Sequence, residues 1–435
     1  QLPGGHAIFP SLTVKENIEA SQWLTTNDGV GAAIEESLRL FPEIQQRWNE
    51  PAANLSGGQQ QMLGLAMALH SSPKVLMIDE LSLGLAPTVV ERLLPVIKRI
   101  AKNGTAVIVV EQSVNLALTI ADRAYFMEKG QIRFSGATKD LLERPDLLRS
   151  VFLSQVNTSP LETKELSGST SAVTLHAEAL TRRFGGIQAV SSISFNVKEK
   201  EIVGVMGPNG AGKTTLFDLV SGFVPVDSGK VQLQNRDITT SSPAERARFG
   251  LGRSFQDARL FPSLTVSETI AVALERFTAS RNPVSAALHL PRTYESEKRV
   301  TRQVAELIEA MGLSAYQNKF IGELSTGTRR MVDLACVIAH RPLVVLLDEP
   351  SSGIAQKEAE ALIPVLHRIR DEMGSSLVVI EHDIGLLSEI SDRFIALDQG
   401  SVIARGTPEE VLDDPLVISS YLGTSKATIQ RSGQI

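Results

Sequence analysis

Short apolar runs without polar alternation recur along the chain, separated by helical patterns and turns. Residues 344–347 and 377–380 have the unbroken apolar character of strands that are covered on both faces of a parallel sheet. Residues 201–206 form a similar run that leads into a helical stretch at Lys213, and a helical pattern covers residues 358–370. This alternation of strands and helices predicts an α/β fold.

A long-range repeat divides the chain. Phe9-Pro-Ser-Leu-Thr-Val14 recurs 252 residues later as Phe261-Pro-Ser-Leu-Thr-Val266, whereas Asp79-Glu80 recurs 269 residues later as Asp348-Glu349. The longer second spacing predicts an insertion in the second copy. No part of the first copy matches residues 175–255, so the first copy is predicted to be incomplete.

Domain boundaries follow from this repeat and from composition. We predict a partial domain over residues 1–153, a flexible Ser/Thr-rich linker over 154–174, a complete domain over 175–423 and a polar tail over 424–435. The chain begins at Gln1, inside what reads as the middle of a domain. We therefore expect it to be a fragment of a longer protein.

Composition narrows the class of protein. The chain has 435 residues, 43% of them hydrophobic, and its net charge of −6 gives no electrostatic reason to expect a nucleic-acid partner. Its one cysteine, Cys336, argues against disulfides and cysteine metal sites. The apolar runs are too short to span a bilayer and no positively charged leader opens the sequence, so we expect a soluble, intracellular chain.

A candidate phosphate-binding loop follows residues 201–206. Gly207-Pro-Asn-Gly-Ala-Gly-Lys-Thr-Thr215 fits the pattern G-x-x-x-x-G-K-[ST], in which glycines let successive backbone N–H groups point at phosphate oxygens. Lys213 would reach the β- and γ-phosphates, and the Thr214 hydroxyl would bind Mg²⁺. The alternative is an ordinary glycine-rich turn between a strand and a helix.

Two carboxylates follow the apolar run at 344–347. Asp348 would be costly to bury without a cation, which makes Mg²⁺ its natural partner. Glu349 would stand close enough to the γ-phosphate to orient or deprotonate the attacking water. The competing interpretation is an acidic cap of the next helix.

A third motif appears twice. Leu55-Ser-Gly-Gly-Gln59 precedes an apolar helical stretch, so Ser56 is a candidate N-cap and two glycines expose N–H groups at the positive end of the helix. Such an end suits a γ-phosphate, although a merely capped helix would share the pattern. The second version, Leu324-Ser-Thr-Gly-Thr328, lacks one glycine and the glutamine.

These motifs, in this order, resemble the nucleotide-binding domains of ABC transporters over nearly the whole chain. The resemblance implies two tandem P-loop NTPase domains, each with a RecA-like, mainly parallel sheet, an antiparallel β subdomain and a helical signature subdomain. It also implies that ATP and Mg²⁺ bind between the phosphate loop of one domain and the signature of the other. The second-domain loop would then face residues 56–59 of the first domain.

The same resemblance assigns roles to single residues. Glu349, His382 and Gln256 would be catalytic, with His382 contacting the γ-phosphate and Gln256 linking Mg²⁺ and water to the transporter. Phe184, placed before the first strands of the domain, would stack on adenine. A structural histidine, a solvated loop glutamine and a core phenylalanine are the competing interpretations. The implied ATP-binding residues are Phe184, Gly207, Pro208, Asn209, Gly210, Ala211, Gly212, Lys213, Thr214, Thr215, Ser56, Gly57, Gly58 and Gln59, and the implied Mg²⁺ ligands are Thr214, Gln256 and Asp348.

The opposite site departs from the family pattern. Its elements in this chain are Asp79, Glu80, Gln112, Ser325 and Gly327. A β-branched threonine follows Ser325 where the first signature has a glycine, which makes close approach to a phosphate harder. Gln112 stands in place of the switch histidine. We therefore expect the site that uses residues 56–59 to dominate hydrolysis.

Two further motifs resemble the two ATPase subunits of branched-chain amino-acid importers, fused in tandem. Ser82-Leu-Gly-Leu-Ala-Pro87 belongs to one and Arg182-Arg-Phe-Gly-Gly-Ile-Gln-Ala-Val190 to the other. The family implies two membrane permeases and an extracytoplasmic substrate-binding protein as partners, a peripheral place on the cytoplasmic face of the membrane, and no direct contact with the cargo. An exporter ATPase of the lipopolysaccharide type and a soluble tandem factor acting on ribosomes are the alternatives. The sequence does not specify the cargo.

Overall fold

The computed structural model describes residues 8–22, 39, 41–70, 73–79, 81, 87–111, 114–128, 130–142, 172–255, 260–277, 291–354 and 356–422. The chain divides into two compact units. The first unit comprises Gln1–Val151 together with Tyr421–Ile435, and the second unit comprises Phe152–Ser420.

The first unit is built from a parallel strand pair, a hairpin and surrounding helices. Strands β1 and β2 pair in parallel, and β3 and β4 are antiparallel. Side chains from the helices and from β1 form a core that includes Ile18, Leu63, Ile78 and Leu93. Its helices are α1 (Val14–Gln22), α2 (Pro42–Gln45), α3 (Gly57–His70), α4 (Pro87–Lys102), α5 (Val114–Ile120) and α6 (Thr138–Leu142), and its strands are β1 (Val75–Asp79), β2 (Ala106–Val110), β3 (Arg123–Glu128) and β4 (Gln131–Ala137).

Among its described residues, the second unit contains ten strands and the helices that lie between and after them. The strands are β5 (Val173–Phe184), β6 (Ile187–Lys198), β7 (Ile202–Met206), β8 (Ser228–Leu233), β9 (Arg236–Asp237), β10 (Leu251–Ser254), β11 (Val344–Asp348), β12 (Ser376–Ile380), β13 (Arg393–Asp398) and β14 (Ser401–Gly406). The helices are α7 (Lys213–Ser221), α8 (Pro243–Arg248), α9 (Val266–Leu274), α10 (Pro291–Ala310), α11 (Thr326–Ala339), α12 (Gln356–Asp371), α13 (Ile384–Ile390) and α14 (Pro408–Asp413), and a last helix, α15 (Pro415–Leu422), crosses the boundary of the unit.

Two sheets make up this unit. The first has the order β10–β11–β12–β7–β13–β14, with parallel neighbours up to β13 and an antiparallel β14 at the edge. The second is antiparallel, in the order β6–β5–β8–β9. β11 and β12 are buried along their whole length, as their unbroken apolar sequence predicts. The predicted α/β fold is confirmed.

The sequence repeat is visible as a structural repeat. α3 and α11 have 14 residues each, and α4 and α12 have 16, with Pro95 and Pro364 at the same position inside the last pair. The parallel pairing of β1 with β2 likewise matches that of β11 with β12, since Asp79 lies opposite Val110 and Asp348 opposite Ile380. The described elements of the first unit therefore reproduce the signature half of the second.

Both strand pairs of the first unit carry exposed apolar side chains. They are Val75, Met77, Ile108, Val110, Tyr125, Met127 and Ile132. Their counterparts 269 or 270 residues later are Val344, Leu346, Val378, Ile380, Ile395, Leu397 and Val402, which lie in or pack against the main core of the second unit. There these side chains share a core with residues of β5, β6, β8 and α7. None of these four elements has a counterpart among the described residues of the first unit.

This difference predicts unequal effects of two matched substitutions. Leu346→Asp should destabilise the second unit by about 4 kcal/mol or more, because it places an unpaired carboxylate at a fully buried position. Met77→Asp, at a position 42% exposed, should cost less than about 1 kcal/mol. Urea unfolding of the full chain, followed by circular dichroism, measures both. Equal losses would show that Met77 is covered in solution.

Candidate functional site

The loop after β7 is shaped by glycines that have no room for a side chain. Gly207 and Gly212 have φ values of 150° and 97°, which glycine adopts at little cost. A Cβ at Gly207 would clash with the carbonyl oxygen of Leu397, and one at Gly212 with that of Ala189. The close approach of the loop to its neighbours therefore requires glycine at both positions.

Lys213 is folded back into this loop. Its ammonium group donates hydrogen bonds to the carbonyl oxygens of Gly207, at 2.7 Å, and Pro208, at 3.1 Å. Burial lowers the pKa of Lys213 to about 8, while the carboxylates of Glu349 and Asp348 oppose the shift. A buried cation at the start of α7, beside the N–H groups of the helix end, suits a phosphate. Thr214 is exposed in the first turn of α7 and Thr215 is half-buried.

Strand register brings an acidic residue to the same sheet edge. Asp348 ends β11 opposite Ile380 of β12, and Ile380 lies opposite Val205 of β7. The loop that begins at Gly207 therefore starts level with this carboxylate. Burial raises the pKa of Asp348, and the guanidinium of Arg253 opposes the shift. The first-unit counterpart, Asp79, ends its strand exposed to solvent.

Glu349 and His382 are brought together by backbone geometry. Glu349 has a φ of 48°, which is unfavourable for a residue with a side chain, and its N–H donates to the carbonyl of Ile380 at 2.9 Å. Its Oε1 lies 2.8 Å from Nε2 of His382, and this hydrogen bond lowers the pKa of Glu349. Glu349 thus stays ionised at neutral pH, which a group that accepts a proton from water requires.

Sequence reasoning missed Arg253. This buried side chain donates to Asp218 Oδ1 at 2.7 Å, and its Nη2 lies 3.7 Å from Asp348 Oδ2. The rings of Phe223 and Phe255 lie 5.4 and 4.9 Å from the guanidinium carbon. Arg253 therefore ties α7 to the acidic strand. The sequence did contain one indication of this role, since Arg253 is a charged residue inside the short strand β10.

A second missed residue is Glu381. It is buried, and its carboxylate accepts the backbone N–H of Ser351 at 2.7 Å and that of His382 at 3.2 Å. Burial raises the pKa of Glu381. Glu381 holds the turn after Glu349 against the segment that carries His382. The sequence indicated this role only by placing an acidic residue directly after the apolar strand β12.

Phe184 does not lie where the sequence predicted. It is the last residue of the first strand, β5, and not ahead of the strands, because β5 runs on to the hairpin where Phe184 pairs with Ile187. β5 also begins at Val173, inside the predicted linker. The ring is 45% exposed and stacks with the guanidinium of Arg182, 4.9 Å from its centre. A half-exposed aromatic ring of this kind can stack on a base.

The two signature helices begin with a capping serine. The Gln59 N–H donates to Ser56 Oγ at 3.4 Å, and the Ser56 N–H donates to Gln59 Oε1 at 3.0 Å. Ser325 likewise accepts the N–H of Thr328 at 3.1 Å. Gly57 and its counterpart are therefore the first helical residues.

Three predicted residues lie outside the described residues. They are Gln256, Glu80 and Gln112.

The residues present fit Mg²⁺. Asp348 is a buried carboxylate with a raised pKa, and the Thr214 hydroxyl is exposed in the first turn of the helix that follows the loop. In the described part of the chain, no group of three or more His, Cys, Asp or Glu side chains could hold a metal. Thr214 and Asp348 would hold Mg²⁺ here, and the ion would offset the charge of bound phosphate.

Comparisons with known proteins agree with this geometry. Residues 190–352 match the ABC transporter family, and residues 401–427 match the branched-chain amino acid ATP-binding cassette transporter family. Residues 37–116 match a family whose description is "AAA domain, putative AbiEii toxin, Type IV TA system". The chain is 36% identical over 249 residues to the high-affinity branched-chain amino acid transport ATP-binding protein BraF of Pseudomonas aeruginosa, covering 57% of this chain and 97% of that protein. This chain belongs to the ATP-binding proteins of ABC transporters.

Other relatives extend the similarity. LivG of Salmonella typhimurium, also a high-affinity branched-chain amino acid transport ATP-binding protein, is 35% identical over 57% of this ABC ATPase and 97% of its own length. An uncharacterised ABC transporter ATP-binding protein of Methanocaldococcus jannaschii is 26% identical over 93% of this chain and 74% of its own. The solved ADP conformation of an ATP-binding cassette of an ABC transporter is 26% identical, with a TM-score of 0.50, over 58% of this chain and 100% of that one.

The ABC ATPase fold and ATP hydrolysis by a transporter subunit are thereby confirmed. Among the described helices, none combines the length and the apolar character that a bilayer span needs.

The low pKa of Lys213 predicts proton uptake when this ABC ATPase binds ATP. Bound phosphates favour the charged lysine, so ATP should raise the pKa from about 8, and ATP affinity should fall as pH rises through that value. Calorimetry near pH 8, in buffers of different ionisation enthalpy, measures the protons taken up. Lys213→Arg is the matched control, because arginine stays charged. Equal uptake by both proteins would contradict the assignment to Lys213.

Proposed function

We propose that this chain is the ATP-binding and ATP-hydrolysing subunit of an importer for branched-chain or related amino acids. The observation that carries the proposal is the similarity to BraF and LivG, whose names state branched-chain amino acid transport. The match of residues 401–427 to a branched-chain amino acid transporter family adds to it. These findings favour import over the exporter and ribosomal-factor alternatives.

The second unit supplies the hydrolytic chemistry in this proposal. Lys213 and the surrounding N–H groups bind the β- and γ-phosphates, and Phe184 stacks on adenine. Ionised Glu349 accepts a proton from the attacking water, and His382, 2.8 Å away, orients that carboxylate and contacts the γ-phosphate. Mg²⁺, when bound, would be held by Thr214, Asp348 and Gln256 and would offset phosphate charge.

The first unit supplies the signature. We place residues 56–59 opposite the phosphate loop of the second unit, so that the capped start of α3 binds the γ-phosphate. Three features support this: the Ser56–Gln59 capping box, the glycines after Ser56, and the positive helix end that they leave accessible. The structural repeat supports the further proposal that two importer ATPase subunits are fused in this chain.

Membrane partners follow from the proposal. The chain would lie at the cytoplasmic face of the inner membrane, bound to two permeases that work with an extracytoplasmic substrate-binding protein. Phe9 and Phe261 occupy equivalent positions in the two units and are 54% and 56% exposed, which suits docking of another protein. Gln256 is the neighbouring residue expected to pass the signal between ATP and the permeases, whereas Gly4 stands at its position in the first repeat and lacks the glutamine side chain.

Two substitutions test the asymmetry between the ATP sites. In the complete transporter complex, Lys213→Ala should lower ATP hydrolysis about 100-fold or more, because it removes the cation that holds the phosphates. Thr326→Ala, in the second signature, should change the rate by less than about 3-fold. Lys198→Ala, an exposed lysine at the end of β6, controls for loss of positive charge. Equal losses for Lys213→Ala and Thr326→Ala would refute the asymmetry.

Uptake and co-purification test the biological role. Membranes that contain the complete complex should take up leucine, isoleucine or valine, and Lys213→Ala should abolish the uptake, since ATP hydrolysis drives it. The chain should co-purify with two permeases. Co-purification with ribosomes, or export of a lipid by the same complex, would contradict the importer proposal.

A further inference from the structure

The signature helices of the two units meet different side chains at an equivalent position. In the first unit, a Cβ added to Gly58 would come within 2.6 Å of Val89 Cγ1 on α4. In the second unit, a Cβ added to Gly327 would overlap the carboxylate of Glu358 on α12. Val89 and Glu358 are 269 residues apart, the spacing of the two signatures. The same position is thus apolar beside one signature and anionic beside the other.

The hydrogen bonds of the signature serine hydroxyl also differ between the two units. Ser325 Oγ lies 2.8 Å from Glu358 Oε1, and because a carboxylate only accepts, the serine must be the donor. The N–H of Thr328, at 3.1 Å, and the hydroxyl of Thr328, at 2.9 Å, then donate to Ser325 Oγ. Every hydrogen-bonding position of the Ser325 hydroxyl is therefore occupied.

The Ser56 hydroxyl makes fewer hydrogen bonds than the Ser325 hydroxyl among the described residues. It accepts the N–H of Gln59, and no acceptor for its own hydrogen occurs among the residues that the structure describes. Val89, at the position of the glutamate, cannot accept a hydrogen bond. The Ser56 hydroxyl can therefore donate to an incoming anion without first breaking a hydrogen bond.

We propose that Glu358 is an internal anion that occupies the second signature and keeps a γ-phosphate from binding there. The carboxylate takes the Ser325 hydroxyl that a phosphate oxygen would use, and its negative charge repels the phosphate from the positive helix end. The inference rests on the proposed function, in which each signature meets a nucleotide. In this proposal Glu358 acts through its hydrogen bond to Ser325, and this contact makes the second signature bind phosphate less well than the first.

Charge, more than bulk, is then what distinguishes the two signatures. Thr326 is exposed at the first position of its helix, does not have a positive φ, and adds only neutral atoms. Glu358 adds a full negative charge in direct contact with the signature serine. Substitutions at Glu358 and at Val89 should therefore change anion binding more than substitutions at Thr326.

Phosphate titration of the full chain tests this with a readout besides hydrolysis. Residue-specific amide signals of Gln59 and Thr328 are followed by nuclear magnetic resonance as inorganic phosphate is added. We expect saturable shifts at Gln59 in the parent chain and at Thr328 only after Glu358→Val or Glu358→Gln. Glu360→Gln removes an exposed charge from the same helix and should leave Thr328 unresponsive. The proposal is overturned if Thr328 responds in the parent, or fails to respond in both Glu358 variants.

The reciprocal change tests the same position at the first signature. In the complete complex, Val89→Glu should raise the KM for ATP about 10-fold or more, whereas Val89→Gln, of similar size but uncharged, should change it less than about 3-fold. ADP affinity should be unchanged in both variants, because ADP lacks the γ-phosphate. Equal effects of Val89→Glu and Val89→Gln, or an equal loss of ADP affinity, would overturn the proposal. Failure of Lys213→Ala to reduce hydrolysis would instead refute the proposed function and leave the phosphate titration standing.

Discussion

Strand β7 lies between β12 and β13 and pairs with both, and this pairing determines where the catalytic groups meet. Because Ile380 lies opposite both Val205 and Asp348, the phosphate loop starts level with the acidic strand end. Glu349 follows at once, held in a left-handed backbone conformation by its own hydrogen bond to β12. The Lys213 ammonium group and the carboxylates of Asp348 and Glu349 therefore lie at one sheet edge, the edge at which ligands bind in parallel α/β sheets.

Among the described residues, the first unit has no counterpart of this strand or of the elements that pack on the sheet. β1 and β2 keep the register of β11 and β12, and α3 keeps its capped start. Side chains that pack with β5, β6, β8 and α7 in the second unit have exposed apolar counterparts on both strand pairs of the first. The described part of the first unit can therefore present a signature but has no cradle for phosphate. The composite ATP site that we propose would take its signature from the first unit and its phosphate loop from the second.

Much of this arrangement could be predicted from the sequence, because its chemistry fixes local spacing. The loop around Lys213 needs glycines at set positions, and the unbroken apolar run before Asp348 is typical of a buried parallel strand. What escaped prediction depends on contacts between distant segments. The ion pair of Arg253 with Asp218 spans 35 residues, and the hydrogen bond of Ser325 with Glu358 spans 33. The exposure of one face of β1 could not be predicted either, because the apolar sequence of β1 resembles that of a strand buried on both faces.

A structure of the Glu349→Gln chain with Mg²⁺ and ATP tests the central claim most directly, since that variant should hold ATP without hydrolysing it. We expect the Ser56 hydroxyl to lie about 3 Å from a γ-phosphate oxygen of the ATP bound at Lys213. A γ-phosphate contacted by the second unit alone, with Ser56 more than about 6 Å away, would contradict it.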